Sequence, residues 1–473
     1  MLVALGGGAC AAENENEPKG PERGPAQLTP AAAGVQIRPI LSAGEKVGTY
    51  QMSGIPDGLG AYAGGGPSAQ GGGGEGLQVL MNHELEGDKP SGVGARVSQL
   101  ALDRNARRVR AARYALDGSE GFLRFCSATL ATLDGRRLFL TGEESTDDGD
   151  LTSARDDGLG RGGSSIALDP KTGRYRETRH FGLLPHENLV PVDGLDQAVV
   201  LTTEDGEPGE NESQLYAFIA PSFRDAIAGR RGSLHVWKAD RRSESDADPS
   251  TDDIAEGERV RGRFVPLSEK DNADADALED AAQAEDAFDF ERLEDAAISR
   301  TADGSLHIAD TGAAGSESVR GRLYRFDFER SDPRRATLTL ELDADAQALR
   351  PDPVKLVNPD NLDVSARSLV IQEDRNEEHR GPEIEGGYGR VLVYDLATRR
   401  LRAVARVSTP SQLKPGEWES SGVINASDLL GPGRWLLDVQ AHERTAPQPG
   451  ARLAPSSSSG EAGQLIEITI PGS

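Results

Sequence analysis

Six short apolar runs recur along the chain, and each ends in acidic or metal-ligating side chains: LQVLMNHE (Leu77–Glu84), RLFLTGEE (Arg137–Glu144), AVVLTTED (Ala198–Asp205), SLHIADT (Ser305–Thr311), SLVIQED (Ser368–Asp374) and RWLLDVQAHE (Arg434–Glu443). Their length and the turn signals before most of them, such as Asp134-Gly135, Asp193-Gly194 and Asp303-Gly304, predict β-strands. Successive runs start about 60 residues apart, except for the step from Ala198 to Ser305, which is longer by about 45. That step holds a polar, acidic tract from about Asp240 to Asp289, and removing it as an insertion restores the period. A repeat of this length made of strands and turns predicts an all-β, six-bladed β-propeller over residues 31–473. The six runs are its expected inner strands, with their ends converging on one mouth of a central channel. Gln464–Ile470 is expected to close the ring by pairing with Val35–Ile40.

Helical patterns are scarce. Short helices are expected at Ser222–Ala228 and Asp274–Asp286, the second too poor in large apolar residues to serve as a core element. The 56 glycines suit many short strands joined by tight turns. A net charge of −26 argues against nucleic-acid or anionic-membrane partners, which require clustered Lys and Arg. Met1–Ala9 is apolar and Gly/Ala-rich, precedes Cys10, and is followed by a Glu-, Asn- and Pro-rich stretch to about Pro30. This resembles the end of a bacterial lipoprotein signal with a tether over residues 1–30, so an exported protein, touching a membrane only through a lipid on Cys10, is expected. No run of 18 apolar residues exists to span a bilayer.

The acidic run ends carry the candidate chemistry. Like charges gathered at one mouth repel unless cations sit among them, and a hard divalent ion takes six to eight oxygens at about 2.3–2.6 Å. The candidate metal ligands are Asn82, Glu84, Cys126, Glu143, Glu144, Glu187, Glu204, Asp205, Glu294, Asp360, Asn361, Glu373, Asp374 and Glu419. Of these, Glu84, Glu187, Glu294 and Glu373 stand foremost because they recur with the repeat. His83, His186 and His442 either ligate or orient ligands through hydrogen bonds, and Asp310 reads as structural. Cys126 lies in GFLRFCSATL, just before the strand that delivers Glu143 and Glu144. A thiolate among oxygen ligands points to a transition metal beside calcium. Arg292 precedes Glu294 by two residues, so strand alternation puts both on one face, where a guanidinium can clamp phosphate. EF-hand, P-loop, G-x-S-x-G and C-x-x-C patterns are absent.

Read in order, MNHE, RFCSATL with LTGEE, PHENLV, TTED, FERLEDAAIS, NPDNLDV with IQED, and EWESSGV ahead of DVQAHE resemble the spaced motifs of the PhoX-type alkaline phosphatases. The resemblance spans roughly Leu77 to Glu443. It implies an exported six-bladed propeller with Ca2+ and Fe3+, monomeric, that hydrolyses small phosphate monoesters. Arg292 would bind substrate and act with Glu294 in catalysis. The chain departs from the family's pattern at Ser127-Ala128-Thr129-Leu130, at Ser421 where the family has Thr, and at Ala441, which separates Gln440 from His442. Two other readings stay open: a non-catalytic, calcium-stabilised propeller, and a calcium-dependent phosphodiesterase or lactonase, which would need no thiolate.

Overall fold

The computed structural model describes residues 25–64, 76–86, 94–103, 108–146, 162–206, 213–240, 254–316, 318–375, 387–411, 413–442 and 461–473. Cys10, the first part of the acidic tract and Glu443 lie outside the described residues. The chain is all-β and propeller-like. Strands β1 (Leu28–Pro30) and β2 (Gln36–Ser42) are followed by a small hairpin, β3 (Lys46–Val47) and β4 (Tyr50–Gln51). The first four-stranded sheet is β5 (Pro56–Ala63), β6 (Leu77–Glu86), β7 (Gly94–Leu102) and β8 (Val109–Leu116). The second is β9 (Phe125–Leu133), β10 (Arg136–Glu143), β11 (Ser165–Asp169) and β12 (Arg174–Glu177).

A nine-stranded sheet comes next. It holds one meander of β13 (His186–Val192), β14 (Ala198–Glu204), β15 (Leu215–Ala220) and β16 (Ser233–Ala239). A second meander is β18 (Leu293–Ile298), β19 (Ser305–Asp310), β20 (Arg322–Phe328) and β21 (Arg335–Asp343), and β17 (Arg259–Pro266) bridges the outer edges of the two. Then β22 (Pro359–Val364), β23 (Ser368–Glu373), β24 (Arg390–Asp395) and β25 (Arg400–Val407) form a sheet that β1 extends. The last comprises β26 (Trp418–Asn425), β27 (Arg434–Ala441) and β28 (Ala462–Thr469), with β2 as its fourth strand. Here β28 pairs antiparallel with β2, from Gln36 opposite Thr469 to Ser42 opposite Gln464, so the two ends of the chain meet in one sheet as expected.

Two expectations are corrected. Six separate blades are not what the sheets show, because β17, supplied by the inserted tract, fuses the third and fourth meanders into one sheet. Nor are the six acidic-ended runs the inner strands. They are β6, β10, β14, β19, β23 and β27, the second strand of each unit. The ring is made by the strands that precede them: β5 packs on β9, β9 on β13, β13 on β18, β18 on β22, β22 on β26, and β26 back on β5. The apolar runs are buried because they have covered faces between neighbouring sheets. Leu80, Phe125, Phe139 and Ile166 share one such layer, and Leu323, Leu362, Ile371 and Leu392 another. Burying side chains of this kind contributes about 1.5–3 kcal/mol each.

The short helix at Phe223–Ile227 is capped by Ser222, whose hydroxyl accepts from the Asp225 N–H. The acidic tract also differs from its expectation. Ala275–Ala284 is helical, capped by Asp274, and buries Leu278 and Ala282 in a cluster with Phe181, Tyr216 and Leu234. Two well-placed apolar side chains are enough when a preformed sheet offers the rest of the surface.

Candidate metal centre

Five of the six inner strands begin with the same irregularity. In β5, Asp57 and Gly58 together face the single residue Asn82. In β9, Cys126-Ser127 faces Gly142, and in β13, Glu187-Asn188 faces Thr203. In β18, Glu294-Asp295 faces Ala309, and in β22, Asp360-Asn361 faces Gln372. Each is a β-bulge, an extra residue that re-aims a side chain. The first bulge residues are thus Asp57, Cys126, Glu187, Glu294 and Asp360, a repeated ligand position. The sixth strand varies: its register shifts at Ser421-Gly422, and Glu419, two residues earlier, reaches in instead.

Side-chain ligand atoms from these positions form four overlapping triads, each within 4.8 Å: Asp57, Glu84 and Cys126; Cys126, Glu144 and Glu187; Glu187, Glu294 and Asp360; and Asp360, Asp374 and Glu419. Atoms that share one cation at about 2.3–2.5 Å must lie this close together. The second strands contribute Glu84, Glu144 and Asp374 from the residue opposite the start of each bulged strand, where the Glu84, Glu144 and Asp374 N–H groups bond Ile55, Arg124 and Asn358 carbonyls.

Electrostatics favour cations here. Burial, then the surrounding carboxylates, push the carboxyls of Asp57, Glu187, Glu294, Asp360 and Glu419 well above the usual range; the carboxylates chiefly responsible are Glu84, Glu294, Asp205, Glu294 and Asp374 in that order. Burial also raises Glu144, opposed in part by Arg124. The Cys126 thiol is pushed up by burial and then by Glu144, to whose carboxylate it donates a hydrogen bond. Bound cations reverse both effects, since they stabilise carboxylate and thiolate. Asp57 Oδ1 has no hydrogen-bond partner, as expected of an oxygen available to a metal.

Two arginines brace the ring. Arg124 donates to Glu84 at 3.0–3.1 Å and to Glu144 at 2.8 Å. Arg292, 5% exposed, makes a two-point contact with Asp205 at 2.8 and 2.7 Å and lies 3.0 Å from Glu294. Its Nη1 is buried without a partner. A guanidinium held on one edge and unpaired at another is placed to take an anion.

Several sequence candidates do not face the ring. Neighbouring strand residues point to opposite faces, so only one member of each acidic doublet can. Glu143 turns away to accept Leu123 and Ser164 N–H groups at 2.8 and 3.0 Å. Glu204 accepts the Gln214 N–H, and Glu373 accepts the Val357 N–H and a two-point contact from Arg390. Asp310 holds three loop N–H groups, of Glu291, Arg292 and Gly312. Asn82 spends its amide N–H groups on the Cys126 carbonyl and Thr141, while its Oδ1 is buried without a partner. Asn361 is saturated by Ser127, Ser421 and the Gly422 N–H. The bond from Asn188 to Asp295 likewise ties neighbouring inner strands together at the second bulge residue. His83 bonds Gly54 and Ser98, His186 bonds Gly182, and His442 lies 3.4 Å from Glu419 and 3.5 Å from Glu461. Asp57 was absent from the candidates although a signal exists: Pro56-Asp57-Gly58-Leu59 parallels Pro359-Asp360-Asn361-Leu362 and His186-Glu187-Asn188-Leu189.

No family model matches the chain, and no curated protein matches it. Solved structures resemble it loosely. The periplasmic gluconolactonase PpgL of Pseudomonas aeruginosa is 14% identical over 83% of this chain and 86% of its own, with a TM-score of 0.35. The PQQ domain of pyranose dehydrogenase from Coprinopsis cinerea is 12% identical over 74% and 95%, with a TM-score of 0.33. An α-L-arabinofuranosidase from Lactobacillus brevis is 11% identical over 72% and 89%, with a TM-score of 0.34. Similarity at this level carries no argument about activity.

Proposed function

We propose that the chain is an exported, metal-dependent hydrolase of phosphate monoesters, of PhoX-like type, built on six propeller blades of which the third and fourth share β17. The observation that carries this reading is the juxtaposition of four linked ligand triads among the described residues, two of them sharing Cys126 between carboxylates, with the unpaired Nη1 of Arg292. The donor set fits hard cations at the all-carboxylate triads, Ca2+ foremost, and a harder-bound transition ion such as Fe3+ where Cys126 joins Glu144 and Glu187. When bound, such ions would neutralise the non-bridging oxygens of a phosphate and make a bound water acidic.

The chain's own residues do the rest. Asp205 and Glu294 fix the plane of Arg292, so its free edge meets a phosphate without reorganisation. Glu294 divides its carboxylate between that guanidinium and the ring, which ties substrate position to ligand position. The bonds of Asn188 to Asp295 and of Asn361 to Ser127 tie the inner strands together next to the ring, which holds the ligand positions in place.

The test is hydrolysis of p-nitrophenyl phosphate by protein supplied with calcium and iron, with metal analysis and a visible spectrum of the same sample. Turnover, iron, and a ferric–thiolate absorption lost in Cys126→Ser support the reading. Absence of turnover with metals bound sinks it and leaves the calcium-stabilised propeller and the calcium-dependent phosphodiesterase or lactonase.

A further inference from the structure

A second cleft lies between the first and second sheets, at the opposite end of the inner strands from the carboxylate ring. Tyr62 on its wall is five residues beyond Asp57 on β5, about 16 Å along the strand. The cavity is about 610 Å³, which falls in the range of small-molecule sites. Its charge opposes that of the molecule. Arg113, Arg136, Arg137 and Lys171 line it against a single carboxylate, Asp169, in a chain whose net charge is −26.

That positive charge is uncompensated. Among the described residues, Arg113, Arg137 and Lys171 make no ion pair, and Arg136 approaches Asp169 only at 3.7 Å. Arg113 is held in place, because its Nη2 donates to Gln99 Oε1 at 2.6 Å while its Nε is buried without a partner. Arg137 is laid flat on the Tyr62 ring, 4.1 Å from the centroid. Gln99, itself 3% exposed, also donates to the Pro170 carbonyl at 3.2 Å, which joins the two sheets at the cleft floor. Guanidiniums oriented by neutral partners keep their full charge for a ligand, and a concave wall concentrates their field.

We infer that this cleft binds an anionic molecule of sugar size bearing a phosphate or carboxylate. This goes beyond the hydrolase reading and does not depend on it. The shared chemistry is a planar or tetrahedral oxyanion beside hydroxyls, with the guanidiniums taking the charge and Asp169 available to hydroxyls.

The test is calorimetric titration of the full chain with inorganic phosphate, glucose 6-phosphate and glucuronate, each in wild type, Arg292→Ala, Arg137→Gln and Lys171→Glu. Arg137 and Lys171 are exposed, so their replacement leaves folding intact, and a thermal melt checks this. The expected result is saturable binding of at least one probe, retained in Arg292→Ala and weakened roughly tenfold or more in Arg137→Gln and Lys171→Glu. Binding of glucuronate alone assigns a sugar acid, and binding of both phosphates a phosphorylated ligand. No saturation by any probe up to about 10 mM, or binding lost only in Arg292→Ala, overturns the inference.

Discussion

Asp438 is buried at 0% exposure and neither of its oxygens has a partner. Its place in the repeat explains why this is unusual. Asn82 and Gln372, the residues opposite a bulge in two other sheets, donate an amide N–H to the next inner strand's carbonyl, at Cys126 and Ser421. An acid in that place has no proton to give once ionised, and burial followed by Asp57 pushes its carboxyl well above the usual range. Asp438→Asn is therefore expected to stabilise the fold by about 1–3 kcal/mol in chemical denaturation at neutral pH. A drop in stability or in bound metal would assign Asp438 a cation instead. At Arg292, replacement by Ala removes the anion-facing Nη1 and leaves Asp205 and Glu294 without their shared cation. Loss of about 100-fold or more in kcat/KM for a phosphate monoester, with protein folded and metal retained, is the expected outcome.

At the scale of elements, the bulge decides which residue reaches the mouth. Gly58 lets β5 approach β9, because a Cβ there would sit 2.5 Å from the Cys126 carbonyl oxygen. Gly58→Ala should cost about 1–3 kcal/mol by overpacking, and should lower metal content too, since Asp57 and Cys126 belong to one triad. Retained metal at reduced stability would separate packing from ligand placement. Strand length, hairpin turns and the acidic run ends were legible in the sequence because they are local. The step from run end to ligand was not. Alternation halves each doublet, so Glu144 and Asp374 join the ring while Glu143 and Glu373 hold loop N–H groups. Asp57 escaped notice because a Pro-Asp-Gly segment reads equally well as a turn.

For the whole molecule, the ring gathers buried carboxylates whose mutual repulsion bound cations would relieve. Chelation should lower the unfolding temperature, by the linkage that gives about 3–4 kcal/mol for a ligand at 100–1,000 times its Kd. A melt unchanged by chelator would show that the carboxylates stand without metal. Away from the mouth, His180 and His235 are held below the ordinary histidine value mainly by burial. The unfolded chain then binds protons that the fold does not, so their contribution is present above about pH 6.5 and is lost as pH falls through the lowered values. The raised carboxyls of the mouth work in the opposite sense, so the test is a difference: from pH 7 to pH 5 the urea midpoint of His180→Gln should shift upward relative to that of the wild type, whose His180 ring lies 4.6 Å from Phe181 and 4.9 Å from Phe218.

Residue order alone determined an all-β chain of repeated units, its strand-end acidity and the meeting of its two ends, because apolar runs, turns and their period are local properties. Which side chains meet was decided only in three dimensions. Ligand atoms as far apart in sequence as Glu187 and Asp360 come within 4.8 Å because bulged strands close a ring, and the edge pairing of β17 leaves no mark on local pattern.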